Sequence, residues 1–126
     1  MLSKLQDYQL NQIQFSMQNE NKIYWVYLLL NKVAEHLQKM IKSIEDDDIK
    51  LGHELSLKIH KIVEVGLLEH LDFEHGGSIA QNFKQFYLVS LQIILTSRLN
   101  KNTKDLKKIA DSYSTLAQSW LLISKQ

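Results

Sequence analysis

Two apolar patterns with helical spacing meet at a pair of glycines in the sequence Leu71-Asp72-Phe73-Glu74-His75-Gly76-Gly77-Ser78-Ile79-Ala80-Gln81-Asn82-Phe83. Glycine adopts positive φ without strain at a Cβ atom, so this pair predicts the end of one helix and a reversal of the chain into the next. The pattern beyond the pair predicts a helix whose core stripe includes Ile79, Phe83, Tyr87, Ser90, Leu91 and Ile94. The glycine pair between two helical patterns therefore predicts a helical bundle. The spacing of the apolar residues alone does not indicate a biochemical function.

The composition narrows the class of protein. The chain has 126 residues, no cysteine, no proline and a formal net charge of +1. Without cysteine there are no disulfides, zinc-thiolate sites or thiol catalysis. The near-neutral charge argues against bulk attraction to nucleic acid or anionic membranes. The longest apolar run, Ile23 to Leu30, is too short to span a bilayer, so we expect a cytoplasmic protein without membrane insertion.

Helical spacing recurs in four segments, at 21–44, 49–71, 78–99 and 103–123. The first carries the clearest core stripe, formed by Val26, Leu30, Val33, Leu37, Met40 and Ile44. Four helices of similar length with short connections predict an all-α fold, an antiparallel up-down four-helix bundle in a single domain over 1–126. Residues 1–20 have a poor period and are interpreted as an N-terminal arm or short helix.

Local signals predict how the helices begin and where they pack closely. Asp47 or Asp48 is a candidate N-cap for the second helix, and Asn102 for the fourth, with Asp105 three residues later as in a capping box. A glycine inside a helix costs on the order of 1 kcal/mol against alanine. Gly66 therefore indicates a close contact with a neighbouring helix.

The start of the first helix carries more apolar surface than one stripe uses. Tyr24, Trp25, Tyr27, Leu28 and Leu29 surround the helix axis. Such a segment is either buried on several sides or offers apolar surface to a partner. The sequence leaves both interpretations open.

The charged and histidine side chains do not form a motif that indicates catalysis, metal binding or nucleic-acid binding. The five histidines form neither a Glu-x-x-His pair nor a His-Glu-x-x-His motif, so we expect no metal and no other cofactor. His60 and Glu64 share a helix face, as such pairs often do by chance. The basic cluster Lys101, Lys104, Lys107 and Lys108 is interpreted as a solvated face rather than a nucleic-acid site. The chain is therefore predicted not to be an enzyme.

The glycine joint resembles the signature of the flagellin-specific export chaperone family FliS. The resemblance is carried by Leu71-Asp72-Phe73-Glu74-x-Gly76-Gly77-x-Ile79-Ala80-x-Asn82-Phe83, followed by Phe86-Tyr87. Two further matches are Leu116-Ala117-x-x-Trp120 near the end of the chain and Tyr8-x-x-Asn11-Gln12-Ile13 in the arm. The resemblance covers essentially the whole chain and is strongest over 71–120.

The resemblance implies a cytoplasmic chaperone that binds the disordered C-terminal segment of flagellin in hydrophobic grooves. Binding would block premature polymerisation and keep flagellin competent for export. The expected partner-binding residues are Tyr8, Ile13, Tyr24, Trp25, Leu28 and Phe86. Tyr8 and Ile13 rest on a motif match, and the arm is expected to cover part of the groove surface when no client is bound.

Alternatives of other classes stay open. One is a self-associating helical interaction module, and another is a chaperone for a client other than flagellin, because Asn21-Lys22 stands where the family usually has Ser-Pro. A bundle enzyme would need a nucleophile motif, a phosphate loop or a ligand pattern that the sequence lacks. A contact with the flagellar export apparatus and a weak homodimer of the client-free protein are also left open.

Overall fold

The computed structural model describes residues 22–125, apart from the side chain of His75. Within that range the chain forms four α-helices and no strand: α1 (Lys22–Glu45), α2 (Ile49–Lys61), α3 (Phe73–Asn100) and α4 (Thr103–Ser124). A π-helical segment, Ile62–Leu68, continues α2. The predicted all-α four-helix bundle is confirmed. The predicted arm lies outside the described residues.

Side-chain caps and an ion pair fix one end of the bundle. The Asp48 carboxylate accepts a hydrogen bond from the Leu51 N–H at 3.1 Å. Asn102 Oδ1 accepts one from the Lys104 N–H at 3.0 Å, so both predicted caps are confirmed. Lys101 Nζ donates to Asp47 Oδ1 at 2.7 Å. This contact joins the α1–α2 loop to the α3–α4 loop, as the antiparallel arrangement requires.

The core is built on α1, which packs most extensively against α4 and then against α2. Leu30, Val33, Leu37 and Met40 are completely buried, which confirms the stripe predicted for this helix. Burying a large aliphatic side chain contributes about 1.5–3 kcal/mol. A continuous run of such residues along α1 therefore supplies much of the driving force for assembly.

Gly66 allows the π-helical segment to lie directly against α1. A Cβ atom at this position would lie 2.9 Å from Leu29 Cδ1, and Leu29 is itself buried. The predicted close packing is therefore confirmed. A regular helix was expected over 49–71, and the π-helical segment departs from it. The Glu69 N–H donates to the carbonyl of Glu64, five residues earlier, at 3.3 Å.

Gly66→Ala is expected to lower the free energy of unfolding by about 1–2 kcal/mol, because overpacking outweighs the gain in helix propensity. Denaturant unfolding of the two single variants and of Gly66→Ala/Leu29→Ala measures the coupling. Shortening Leu29 removes the clash, so the double variant should be more stable than the sum of the single effects implies. If the losses in unfolding free energy of the two single variants simply added up in the double variant, the contact between Gly66 and Leu29 would be contradicted.

The predicted joint falls at a break inside α3. Gly77 has φ of 50° and ψ of −124°, a conformation that L side chains rarely adopt. Before it, the Gly76 N–H donates to the Asp72 carbonyl at 2.8 Å and closes a single helical turn. The glycine pair thus turns the chain into the long part of α3.

His36 on α1 is buried and its Nδ1 atom has no hydrogen-bond partner among residues 22–125. Burial, and to a lesser extent the positive charges of Lys32, Lys58 and Lys39, together lower the pKa of His36 from 6.5 to about 4. Between these two pH values the unfolded chain binds a proton that the folded chain does not. Stability is therefore lost as the pH falls from about 6.5 to 4.

His36→Leu should remove this part of the pH dependence. At about 1.4 kcal/mol for each pKa unit, the wild-type protein loses at most about 3 kcal/mol more than the variant between pH 7 and pH 4. Denaturant unfolding at both pH values gives the two losses. His53→Leu, a change at an exposed position, is the matched control and should behave like the wild type. If the wild type and His36→Leu lost equal stability between pH 7 and pH 4, the pH dependence could not be assigned to His36.

Candidate functional site

Two grooves flank the start of α3. The first groove has a volume of about 360 Å³ and lies where α1, the turn after the π-helical segment, α3 and α4 come together. Gly66 and Gly76 form part of its wall, and neither has a side chain to fill it. Its lining is Lys22, Ile23, Val26, Gly66, Leu67, His70, Leu71, Asp72, Gly76, Ile79, Ala80, Phe83, Tyr87 and Trp120.

The second groove runs between α3 and α4 and has a volume of about 550 Å³. Its lining is Ile79, Asn82, Phe83, Phe86, Asp111, Ser112, Thr115 and Leu116. Ile79 and Phe83 line both grooves, so they form a ridge between them. We call the two grooves and this ridge the furrow. Ile79 is 65% exposed, although the sequence places it in the core stripe of this helix, and that expectation is corrected.

Packed aromatic rings form the floor of the furrow. The ring centroids of Phe83 and Trp120 are 6.3 Å apart, and those of Phe86 and Tyr113 are 5.0 Å apart. The Tyr113 hydroxyl and Ser90 Oγ share a hydrogen bond of 2.6 Å in the core. Burial raises the pKa of Tyr113, and its phenol stays protonated at neutral pH. The floor of the furrow is therefore apolar, and the buried Tyr113 and Ser90 beneath it hold its rings in place.

The described part of the furrow carries few charged side chains, namely Lys22, Asp72 and Asp111. Among residues 22–125, no three histidine or acidic side chains are arranged to hold a metal ion. In the same range, no helix is long and apolar enough to cross a membrane. The furrow is suited to holding apolar side chains of another polypeptide.

The predicted partner-binding residues occupy different surroundings. Phe86 lines the second groove, and Tyr24 is 40% exposed on α1 beside Tyr27, with ring centroids 5.6 Å apart. Leu28 is half-buried, and neither it nor Tyr24 lines the furrow. Tyr8 and Ile13 lie outside the described residues. The furrow therefore contains Phe86 alone among the predicted residues that the structure describes.

Trp25 does not lie on the surface as expected. It is 1% exposed, and its ring meets that of His70 edge-on with centroids 6.2 Å apart. The indole is enclosed because α1 packs against the segment around Gly66, whose backbone approaches α1 closely. A partner would reach Trp25 only if these elements separated, so a direct contact by this residue stays an untested prediction.

Several furrow residues were not among those predicted to bind a partner, chiefly Ile79, Phe83 and Trp120. Ile79 and Phe83 have the spacing of core residues, so the sequence does not show that they reach the surface. Trp120 is half-buried in the lining of the first groove. Ile23 and Val26 take the place on α1 that was predicted for Tyr24 and Leu28.

An all-helical bundle with an open apolar furrow is an architecture suited to binding another polypeptide. The chain matches the family described as Flagellar protein FliS over residues 2–126, and it belongs to that family. It is also 28% identical over 81 residues to the protein named Flagellar secretion chaperone FliS of Salmonella typhimurium (strain LT2). That match covers 64% of this chain and 60% of the relative's length.

Proposed function

We propose that the protein is a cytoplasmic export chaperone that binds the C-terminal segment of flagellin in the furrow. The observation that carries the proposal is the Ile79–Phe83 ridge, which has a groove on each side and stands 65% exposed at Ile79. Membership of the FliS family and the relative named as a flagellar secretion chaperone support the flagellar role.

The proposed binding mode is an amphipathic helix laid into a groove. Each large apolar side chain that becomes fully covered contributes about 1.5–3 kcal/mol. A few such contacts along the ridge exceed the cost of ordering a flexible segment only when they are made together. This favours a client with repeated apolar positions over a single inserted side chain.

Within this proposal, Phe86 forms part of the floor of the second groove, and Tyr24 and Leu28 offer neighbouring surface on α1. Trp25 packs against His70, which lines the first groove. Covered in this way, the client segment is prevented from pairing with other flagellin molecules, and it is released at the export apparatus. Tyr8 and Ile13 keep their proposed role as client contacts in the arm.

Titration calorimetry with the C-terminal segment of the cognate flagellin tests the proposal. We expect a one-to-one complex with a large negative heat-capacity change, which reports apolar burial coupled to folding of the segment. Light scattering on the same samples separates the alternatives. A permanent homodimer that ignores flagellin would indicate a self-associating module, and one-to-one binding of another flagellar protein in place of flagellin would indicate a different client.

A further inference from the structure

The apolar boundary between α3 and α4 continues beyond the second groove. Phe86 and Leu116 line that groove, one from each helix. One heptad further along the boundary, α3 carries Ile93 and α4 carries Ile109, and both side chains are half-buried. Val89, between Phe86 and Ile93, is 48% exposed. We call Val89, Ile93 and Ile109 the seam.

The two isoleucines of the seam lie at the same level of the bundle. The hydrogen bond between Ser90 Oγ and the Tyr113 hydroxyl fixes how α3 and α4 are set against each other. Ile93 comes three residues after Ser90, and Ile109 comes four residues before Tyr113, so the antiparallel helices bring them side by side. Because α4 packs mainly against α1 and contacts α3 much less, neither isoleucine is enclosed by the opposite helix.

The seam also faces the same way as the furrow. At about 100° per residue, Val89 and Ile93 lie within about 80° of Ile79 around α3. Leu88 is exposed to a similar extent as Val89, 44%, but it lies about 180° from Ile79 on the outer face of the helix. The seam is therefore a continuation of the second groove, whereas Leu88 belongs to a different surface.

The charges beside the seam do not select a partner by sign. Between Lys84 and Arg98, α3 contains no acidic, basic or histidine residue. On α4, Lys108 and Asp111 are three residues apart and carry opposite charges. Contact along the seam must therefore be apolar. Apolar residues that repeat at heptad spacing on two neighbouring helices suit a third helix with the same period.

We propose that the C-terminal segment of flagellin continues from the furrow along the seam as one amphipathic helix. This inference rests on the proposed function and adds the length and conformation of the bound segment. From Ile79 to Ile93, α3 rises about 21 Å, so a client helix that contacts both ends needs at least about 14 residues. A helix of that length is marginally stable alone in water, so it forms as it binds.

Val89→Asp should weaken binding of the flagellin C-terminal segment about tenfold or more, because the client would cover a carboxylate that has no partner. Leu88→Asp is the matched control, since it changes the adjacent, similarly exposed residue on the outer face, and it should bind like the wild type. Titration calorimetry measures the affinities, and circular dichroism checks that both variants are folded. Wild-type affinity in folded Val89→Asp would overturn the proposal. If Ile79→Asp lost binding in the same series, the proposed furrow site would stand without the seam.

Photo-crosslinking of the full chain to the same client segment tests the helical conformation. Benzoylphenylalanine replaces Ile79 in one variant and Val89 in another, and mass spectrometry locates the linked client residues. The two positions are ten residues apart on α3, about 15 Å, so a helical client should be linked at sites about ten residues apart. Sites about five residues apart would indicate an extended client and overturn the proposal. Linkage from position 89 to a second copy of the chain, or to residues 1–21 of its own chain, would also overturn it.

Discussion

Replacing Ile79 by Asp is expected to weaken binding of the flagellin C-terminal segment at least about 100-fold, with the bundle still folded. A 100-fold loss corresponds to about 2.8 kcal/mol. Ile79 lines both grooves and is 65% exposed, so a client that fills them must cover it. A carboxylate covered by apolar side chains without a partner costs several kcal/mol. In the free protein the same carboxylate faces water, so stability should change little.

Ile49→Asp is the matched control for this experiment. Ile49 is 68% exposed at the other end of the bundle, next to the α1–α2 turn, and it does not line the furrow. Calorimetry on both variants should therefore show the loss in Ile79→Asp alone. Equal affinities for the two variants would show that the client does not use the furrow. Circular dichroism on each variant checks that helicity is retained.

Tyr113→Ala is expected to have the largest effect on stability, a loss of about 3–5 kcal/mol in the free energy of unfolding. Tyr113 is completely buried, and its ring packs against those of Phe86 and Tyr87. Deleting the ring leaves a cavity beneath the floor of the furrow. For a domain of this size the melting temperature should fall by more than about 10 °C. Client binding should weaken too, because Phe86 loses its support.

Tyr113→Phe separates packing from hydrogen bonding at this position. The ring stays in place, and Ser90 Oγ still donates to the Tyr87 carbonyl at 2.8 Å. Only the bond between the Tyr113 hydroxyl and Ser90 is lost, so the expected cost is about 1 kcal/mol. Thermal unfolding of the two variants compares these costs. If Tyr113→Phe were as unstable as Tyr113→Ala, the hydroxyl rather than the ring would dominate the core.

Local and periodic features of the fold could be predicted from the sequence. The caps at Asp48 and Asn102 follow from side-chain chemistry within three residues, and the core stripe of α1 follows from helical spacing. Gly66 and Gly77 were recognisable because glycine in a helical pattern requires either close packing or an unusual backbone angle. These properties depend little on the rest of the chain.

The furrow itself could not be predicted, because it depends on how far neighbouring helices lie apart. Spacing shows which residues share a face, but Ile79 and Tyr87 share one and are 65% and 2% exposed. Ile79 lies between two open grooves, whereas Tyr87 packs against Phe86 and Tyr113 in the core. The sequence also could not distinguish Trp25 from Tyr24, because the burial of Trp25 depends on how closely the Gly66 segment approaches α1.

The most direct test of the proposed binding mode is an isoleucine methyl NMR titration with the flagellin C-terminal segment. If the client occupies the furrow, the methyl signals of Ile79 and Ile23 shift and show contacts to client protons, while the exposed Ile49 methyl stays unchanged. A shift at Ile49 with Ile79 and Ile23 unaffected would contradict the proposal, as would the absence of any shift at saturating client.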